Sequence, residues 1–416
     1  MSWQGRMAVV GAAACLALTA CTHAGQAVRQ PPAATGPRAA PATTTSPATT
    51  TPNAGVASYG CDRNTSGPTL PGTPITTIPF ASWPEVTVVA GMCPQVLDLA
   101  AGAGFALVSP PPTSEGPWVL QRIDLARATT ESGPTFPVGA LAVAAGYLWI
   151  SCGRSSGDDA VGPLLCQVDL RTLAVVRQIQ LPPPGLPAWG MDILVAAGPD
   201  DTVWVGYGRT LVHIAVTDGA VSSTLSIASG TVASLSVDAA AQYLYVALAY
   251  PTVAGKAVDA SVLEYDARTG QALAGTSSDS NVTDAVAGGV LTAVPGGVWD
   301  SFRTGMAGAT ILLRQSDLAL AGPPSSELGD PQPDGVFVWI MGASTIYGDG
   351  ALLLVNQNGI MACADPRTGV IRVQEHLVDA RGADVELLAV DATSGRVLVS
   401  DGNGVQAITP PAACWG

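Results

Sequence analysis

One phrase recurs along most of this chain: an apolar run, a tight turn containing Gly or Asp, and a second run with an apolar or aromatic centre. Seven copies stand in the sequence: LDLAAGAGFALVS from Leu97, LAVAAGYLWIS from Leu141, ILVAAGPDDTVWVGY from Ile193, LSVDAAAQYLYVAL from Leu235, LTAVPGGVWDSF from Leu291, STIYGDGALLLVN from Ser344 and LLAVDATSGRVLVS from Leu387. Repetition constrains the fold more than composition does. A unit of this size cannot bury its apolar face alone and must stack on its neighbours. Aligning the second runs puts Leu107, Trp149, Trp204, Tyr245, Trp299, Leu353 and Leu398 in one column, at a mean spacing of roughly 48 residues. These side chains are read as core between successive repeats rather than as platforms for a ligand.

A second phrase follows most copies: CQVDLRTLAVVRQIQL from Cys166, LEYDARTGQALA from Leu263 and ACADPRTGVIRV from Ala362. Its Asp supplies a side-chain acceptor and, in the second and third of these copies, a Gly supplies a residue free to turn, which together make a tight hairpin. Two hairpins per repeat give four antiparallel strands. On these two phrases, over about residues 86–416, the chain resembles the β-propeller group of YVTN, NHL and quinoprotein-like repeats. The resemblance implies an all-β fold: a seven-bladed β-propeller of four-stranded antiparallel blades, preceded by a disordered linker. An eight-bladed ring and a tandem of β-sandwiches are the competing architectures.

The last repeat ends after its third strand, at GVQAITPPAACWG. Its fourth strand is therefore expected from the N-terminal side, at residues 86–91, which ties both ends of the domain together and removes an exposed edge.

The opening of the chain carries a different signal. Arg6 precedes residues 7–20, an uncharged apolar run. This is the order of a secretory signal, and the run is shorter than the roughly 20 apolar residues a membrane-spanning helix needs. Leu18-Thr19-Ala20-Cys21 closes it and resembles the bacterial lipobox. That resemblance implies a diacylglyceryl group on the Cys21 sulfur and cleavage just before it. Two acyl chains hold a protein on a membrane where one is marginal. An ordinary signal peptide beside an incidental cysteine is the alternative. Residues 22–60 are dominated by Pro, Ala and Thr, with few large apolar side chains. Such a segment buries too little surface to offset its ordering entropy and reads as a semi-stiff tether. Residues 43–51 have the composition of an O-glycosylated stalk; a bare spacer is the other reading. The expected organisation is a lipoprotein signal peptide at 1–20, a lipidated Cys and linker at 21–60, and the propeller at 61–416. The expected location is the extracytoplasmic face of the cell membrane, reached through the N-terminal lipid.

Six cysteines remain beyond Cys21: Cys61, Cys93, Cys152, Cys166, Cys363 and Cys414. An even number in an exported chain suggests disulfides. Cys152 ends a second strand and Cys166 begins the third strand of the same blade, so the two are expected to pair. The other four allow three pairings; Cys61 with Cys414 would lock the ring. Their spacing matches no zinc pattern.

Net charge is −14, and Lys256 is the single lysine. The chain has no Lys/Arg cluster or aromatic–basic interleaving, which argues against nucleic-acid binding. Charged residues make up 12% of the chain, about half the usual share. The three histidines, His23, His213 and His376, sit in no catalytic motif. The repeat also resembles the streptogramin lyase type of propeller, but that family's catalytic histidines find no match, and no cofactor or metal site is expected. The loops are where function is expected to lie. Candidate rim residues are Trp118, Trp189, Asp158, Asp159, Asp192 and Asp384, an acidic edge with two aromatics; solvated loops on an acidic protein are the bland alternative. The resulting expectation is a monomeric binding or scaffolding module for a protein, peptide or glycan. A propeller enzyme, a lyase or metal-assisted hydrolase with its site in the central funnel, is the alternative.

Overall fold

The computed structural model describes residues 75–79, 95–100, 105–109, 118–124, 127–137, 141–153, 162–184, 193–228, 230–249, 252–253, 256–257, 262–276, 287–304, 307–319, 321, 344–347, 351–355, 360–367, 371–376, 387–391, 396–400, 404–410 and 414. These residues form strands joined by turns, grouped into seven principal antiparallel sheets.

The first blade is β2 (Gln95–Ala100), β3 (Phe105–Ser109), β4 (Trp118–Asp124) and β5 (Thr129–Phe136). The second is β6 (Leu141–Ala144), β7 (Tyr147–Gly153), β8 (Leu164–Asp169) and β9 (Val175–Gln180). The third is β10 (Leu194–Ala197), β11 (Thr202–Tyr207), β12 (Thr210–Ala215) and β13 (Val221–Ser226). In the fourth, β14 (Thr231–Val237) and β15 (Tyr243–Ala249) are followed by a small hairpin, β16 (Thr252–Val253) with β17 (Lys256–Ala257), and then by β18 (Val262–Asp266) and β19 (Ala272–Gly275). The fifth shows three strands among the described residues, β20 (Ala287–Val294), β21 (Gly297–Thr304) and β22 (Ala307–Arg314). The sixth is β23 (Ser344–Tyr347), β24 (Ala351–Val355), β25 (Ile360–Ala364) and β26 (Ile371–His376). The seventh runs β27 (Leu387–Asp391), β28 (Arg396–Ser400), β29 (Gly404–Ile408), and its outer strand is β1 (Ile75–Pro79).

Each blade is a meander. The first strands neighbour one another around the ring, β2 with β6, β6 with β10, and so on to β27, which neighbours β2 again. The ring is closed. The closing strand does come from the N-terminal side, but from a different segment than expected. Ile75 to Pro79 pairs with Ile408 to Gly404, whereas residues 86–91 lie outside the described residues. Pro79 fits an outer strand, where a missing N–H leaves no ladder bond unmade on the solvent side.

Every residue of the aligned column lies on the second strand of its blade, in one repeated register. Trp149 stands between Ala142 and Gln167, Trp204 between Ala196 and His213, Tyr245 between Ser236 and Glu264, and Trp299 between Thr292 and Leu312. Leu107 pairs with Asp98 and Leu120, Leu353 with Thr345 and Cys363, and Leu398 with Ala389 and Ala407. Trp149, Trp204, Tyr245 and Trp299 face the following blade. Trp149 is fully buried and packs with Val195, Val203 and Ile214 of the third blade, and Trp204 packs with Leu235, Leu244 and Tyr265 of the fourth. Each aromatic removes roughly 200 Å² from water, about 5 kcal/mol before ordering entropy is subtracted.

Candidate functional site

The polar groups of the described interior are mostly spent on holding blade to blade. The turn between third and fourth strands is built on Asp. Asp169 accepts hydrogen bonds from the backbone N–H of Arg171 (3.0 Å) and Thr172 (2.7 Å) and from the Thr172 hydroxyl (2.9 Å). Asp266 repeats the pattern with Arg268 and Thr269 at 3.0, 2.7 and 2.8 Å. These donors, those of Thr172 and Thr269 foremost, hold both carboxyls below their ordinary range. Gly270 turns at φ +72°, and a Cβ there would meet Trp204 at 3.0 Å. The glycine thus serves the turn and makes room for the neighbouring blade's indole.

The carbonyl that opens this turn is a docking point for the preceding blade. Arg122 donates to the Leu170 and Arg171 carbonyls. Gln167 Nε2 and Arg177 Nη1 each donate to the Val216 carbonyl at 3.1 Å. Trp204 Nε1 donates to the Ala267 carbonyl at 2.7 Å, and Trp299 Nε1 to that of Pro366 at 2.6 Å. His213, on the third strand as the sequence suggested, stacks on Trp204 with ring centroids 4.4 Å apart and planes 7° from parallel. Its Nε2 lies 2.7 Å from Thr202 Oγ1, and burial lowers its pKa. A neutral imidazole locked between an indole and a hydroxyl is a structural group.

The seam between the fourth and fifth blades differs. The equivalent carbonyl there belongs to Gln315, just after β22, and the facing columns carry Tyr245 and Glu264, which are register partners. Tyr245 Oη and Glu264 Oε2 are buried without a hydrogen-bond partner among the described residues. Glu264 is 2% exposed; burial first, then the charges of Asp238 and Asp317, push its carboxyl up to about 7. Asp300 lies in the same seam, 2% exposed. It stands in register between Leu291 and Ile311, two members of the apolar cluster that joins these blades. Its Oδ1 has no partner among the described residues, and burial raises its carboxyl to about 7. Sequence reading missed both acids. A signal for Asp300 was present. The residue after the aligned column is Val108, Ile150, Val205, Val246, Leu354 and Val399 in six copies, and Asp300 in the fifth.

Of the expected rim residues, Trp118 is described, and it is core. At 5% exposure it packs with Leu120, Phe136 and Leu148 between the first and second blades. The alternation of β4 turns Trp118 and Leu120 to the same buried face, so the expected exposed aromatic is not found there. Trp189, Asp158, Asp159, Asp192 and Asp384 lie outside the described residues, as do Cys21 and the whole of residues 1–74. Cys152 and Cys166 are bonded as expected; the register shift between Ser151 and Gly153 accommodates Cys152 opposite the third strand. The pairing of Cys61 with Cys414 is overturned, because Cys414 is bonded to Cys363. Cys363 holds the third-strand column of the sixth blade, the position of Gln167 and His213, so this bond ties the sixth blade to the C-terminal end of the seventh. Among the described residues no group of three or more His, Cys, Asp and Glu is arranged to hold a metal ion, and no helix is long and apolar enough to cross a membrane.

The architecture defines the class: a closed seven-bladed β-propeller. No family model matches the sequence, and no curated protein matches it. Solved structures share the fold at low identity. A chain of hydrazine synthase from Kuenenia stuttgartiensis superposes with a TM-score of 0.54 at 9% identity, over 80% of this chain and 99% of that one. A chain of the mitotic checkpoint complex gives 0.53 at 10% identity, over 83% and 95%. The WD40 domain of Neurospora crassa Pan2 gives 0.50 at 10% identity, over 81% and 96%.

Proposed function

We propose that this protein is a propeller held at the extracytoplasmic face of a membrane by lipid on Cys21, and that it works as a binding or scaffolding module for a protein, peptide or glycan. The observation that carries the reading is the closed ring with its polar interior turned inward. Gln167, Arg177, His213, Trp204 and Trp299 are engaged in contacts within and between blades, which leaves recognition to the loops on a rigid frame. The likeness in fold to a WD40 domain and to a chain of a multiprotein complex supports the reading. The lipobox and the Pro/Ala/Thr tether supply the anchor, and the net charge of −14 argues against a nucleic-acid partner.

Cross-linking on intact cells, followed by recovery of the full chain, tests the binding role. The wild type is expected to bring down one partner in near-stoichiometric amount. A variant with residues 154–161 replaced by Gly and Ser is expected to lose it while keeping the wild-type melting temperature if that loop is part of the rim. Turnover of a defined substrate by the purified chain, with no partner recovered, would contradict the proposal.

A further inference from the structure

The seam between the fourth and fifth blades combines three features. Its axial end is well bonded: Leu291 and Ala293 on β20 donate their backbone N–H to Ser234 Oγ (3.0 Å) and Ser236 Oγ (2.9 Å) on β14. Its middle is apolar, with Ala247 and Val262 facing Leu291, Val298, Ile311 and Leu313. Into this layer the fifth blade inserts Asp300 and the fourth inserts Glu264, each with a buried oxygen that has no partner among the described residues. Ionising a carboxyl whose buried oxygen has no partner carries a desolvation cost, which favours the neutral form or an opening of the layer to hydrate the charge.

We propose that this seam is a pH-responsive joint, tight while Glu264 and Asp300 are protonated and loosened when they ionise. The groups acting on Glu264 are Asp238 on the turn after β14 and Asp317 after β22, both acids; beside it on β15 stand Tyr243 and Tyr245. Arg314, the nearby cation, is paired with Asp317 at 3.0 Å. The apolar layer around Asp300 holds Tyr245 and Ala247 of β15, Val262 of β18, Leu291 and Ala293 of β20, and Ile311 and Leu313 of β22; Glu264 of β18 faces the same seam, and burial alone acts on the Asp300 carboxyl. A protonated Glu264 also carries the donor that Gln167 supplies two blades earlier, and ionisation removes it. Both carboxyls titrate near 7, so the joint responds around neutrality.

Hydrogen exchange on the full chain at pH 5.5 and 8.5, corrected for the intrinsic rate of each amide, reads the seam directly. The expected result is at least a tenfold loss of protection at pH 8.5 in β15, β18, β20 and β21, with β7, β8, β11 and β12 unchanged. That factor corresponds to about one pH unit of linkage. In the E264Q/D300N variant the loss should disappear. Because D300N leaves a buried amide, D300V paired with E264Q is the second variant, restoring the apolar residue type of the sister blades. Protection that is pH-independent in the wild type, a loss shared equally by all seams, or a loss that persists in the folded double variants would each overturn the proposal.

Discussion

Trp204 shows how much one side chain does in this ring. It fills the layer between the third and fourth blades, stacks on His213, and donates its indole N–H to the Ala267 carbonyl. Trp204→Phe keeps much of the apolar volume and removes the bond, so a loss of about 1–3 kcal/mol is expected from urea denaturation. Asp300 makes the opposite case. Its ordinary carboxyl value of 3.8 is raised to about 7 in the folded chain. With the folded value above the unfolded one, the proton stabilises the fold fully below about pH 4, and that stability is lost as the pH rises through 7. Between pH 5 and pH 8 this amounts to on the order of 3 kcal/mol. Asp300→Val should abolish that part of the slope and raise stability most above neutrality; an unchanged slope would mean that Asp300 is ionised at no cost.

At the scale of elements, the seven second strands were legible because each copy puts its central residue in the same register, and Trp149, Trp204, Tyr245 and Trp299 spend that side chain on the next blade. The third–fourth turns were legible for a similar reason, since Asp, Thr and Gly are used for local bonds that the spacing alone dictates. The ring-closing strand was legible as a need but not as a segment. Residues 86–91, VTVVAG, look more strand-like than ITTIP at 75–79, and the choice between them depends on pairing with β29, hundreds of residues away. Trp118 was misread because it adjoins a Pro-rich loop, while its burial follows from the alternation of β4, which starts at that residue. The buried acids were missed because a carboxylate in a strand shows its face only when its copy is aligned with the others: Asp300 stands where the other six carry Val, Ile or Leu, and Glu264 holds a third-strand place that polar Gln167 and His213 share. The Cys363–Cys414 bond is a second non-local choice, joining the sixth blade to the end of the chain. Cys414→Ser should cost about 2–5 kcal/mol and loosen β25 and β29 first, seen as a lower melting temperature with early exchange in those two strands; equal loosening of β7 and β11 would count against a local tie.

The described strands close into a ring of seven sheets, a fold that does not by itself fix a chemistry. Its closed sheet series leaves short outer edges, as solenoids and propellers require for solubility. The proposed lipid anchor on Cys21 would give this ring its place of work. The most direct measurement is the intact mass of the mature N-terminus, taken together with fractionation of wild type and Cys21→Ala. The account predicts a chain beginning at Cys21 with a diacylglyceryl group, recovered with membranes, and a Cys21→Ala protein shed into the medium. A wild-type chain that is unmodified at Cys21 and already soluble would contradict it and make a freely secreted enzyme the better reading.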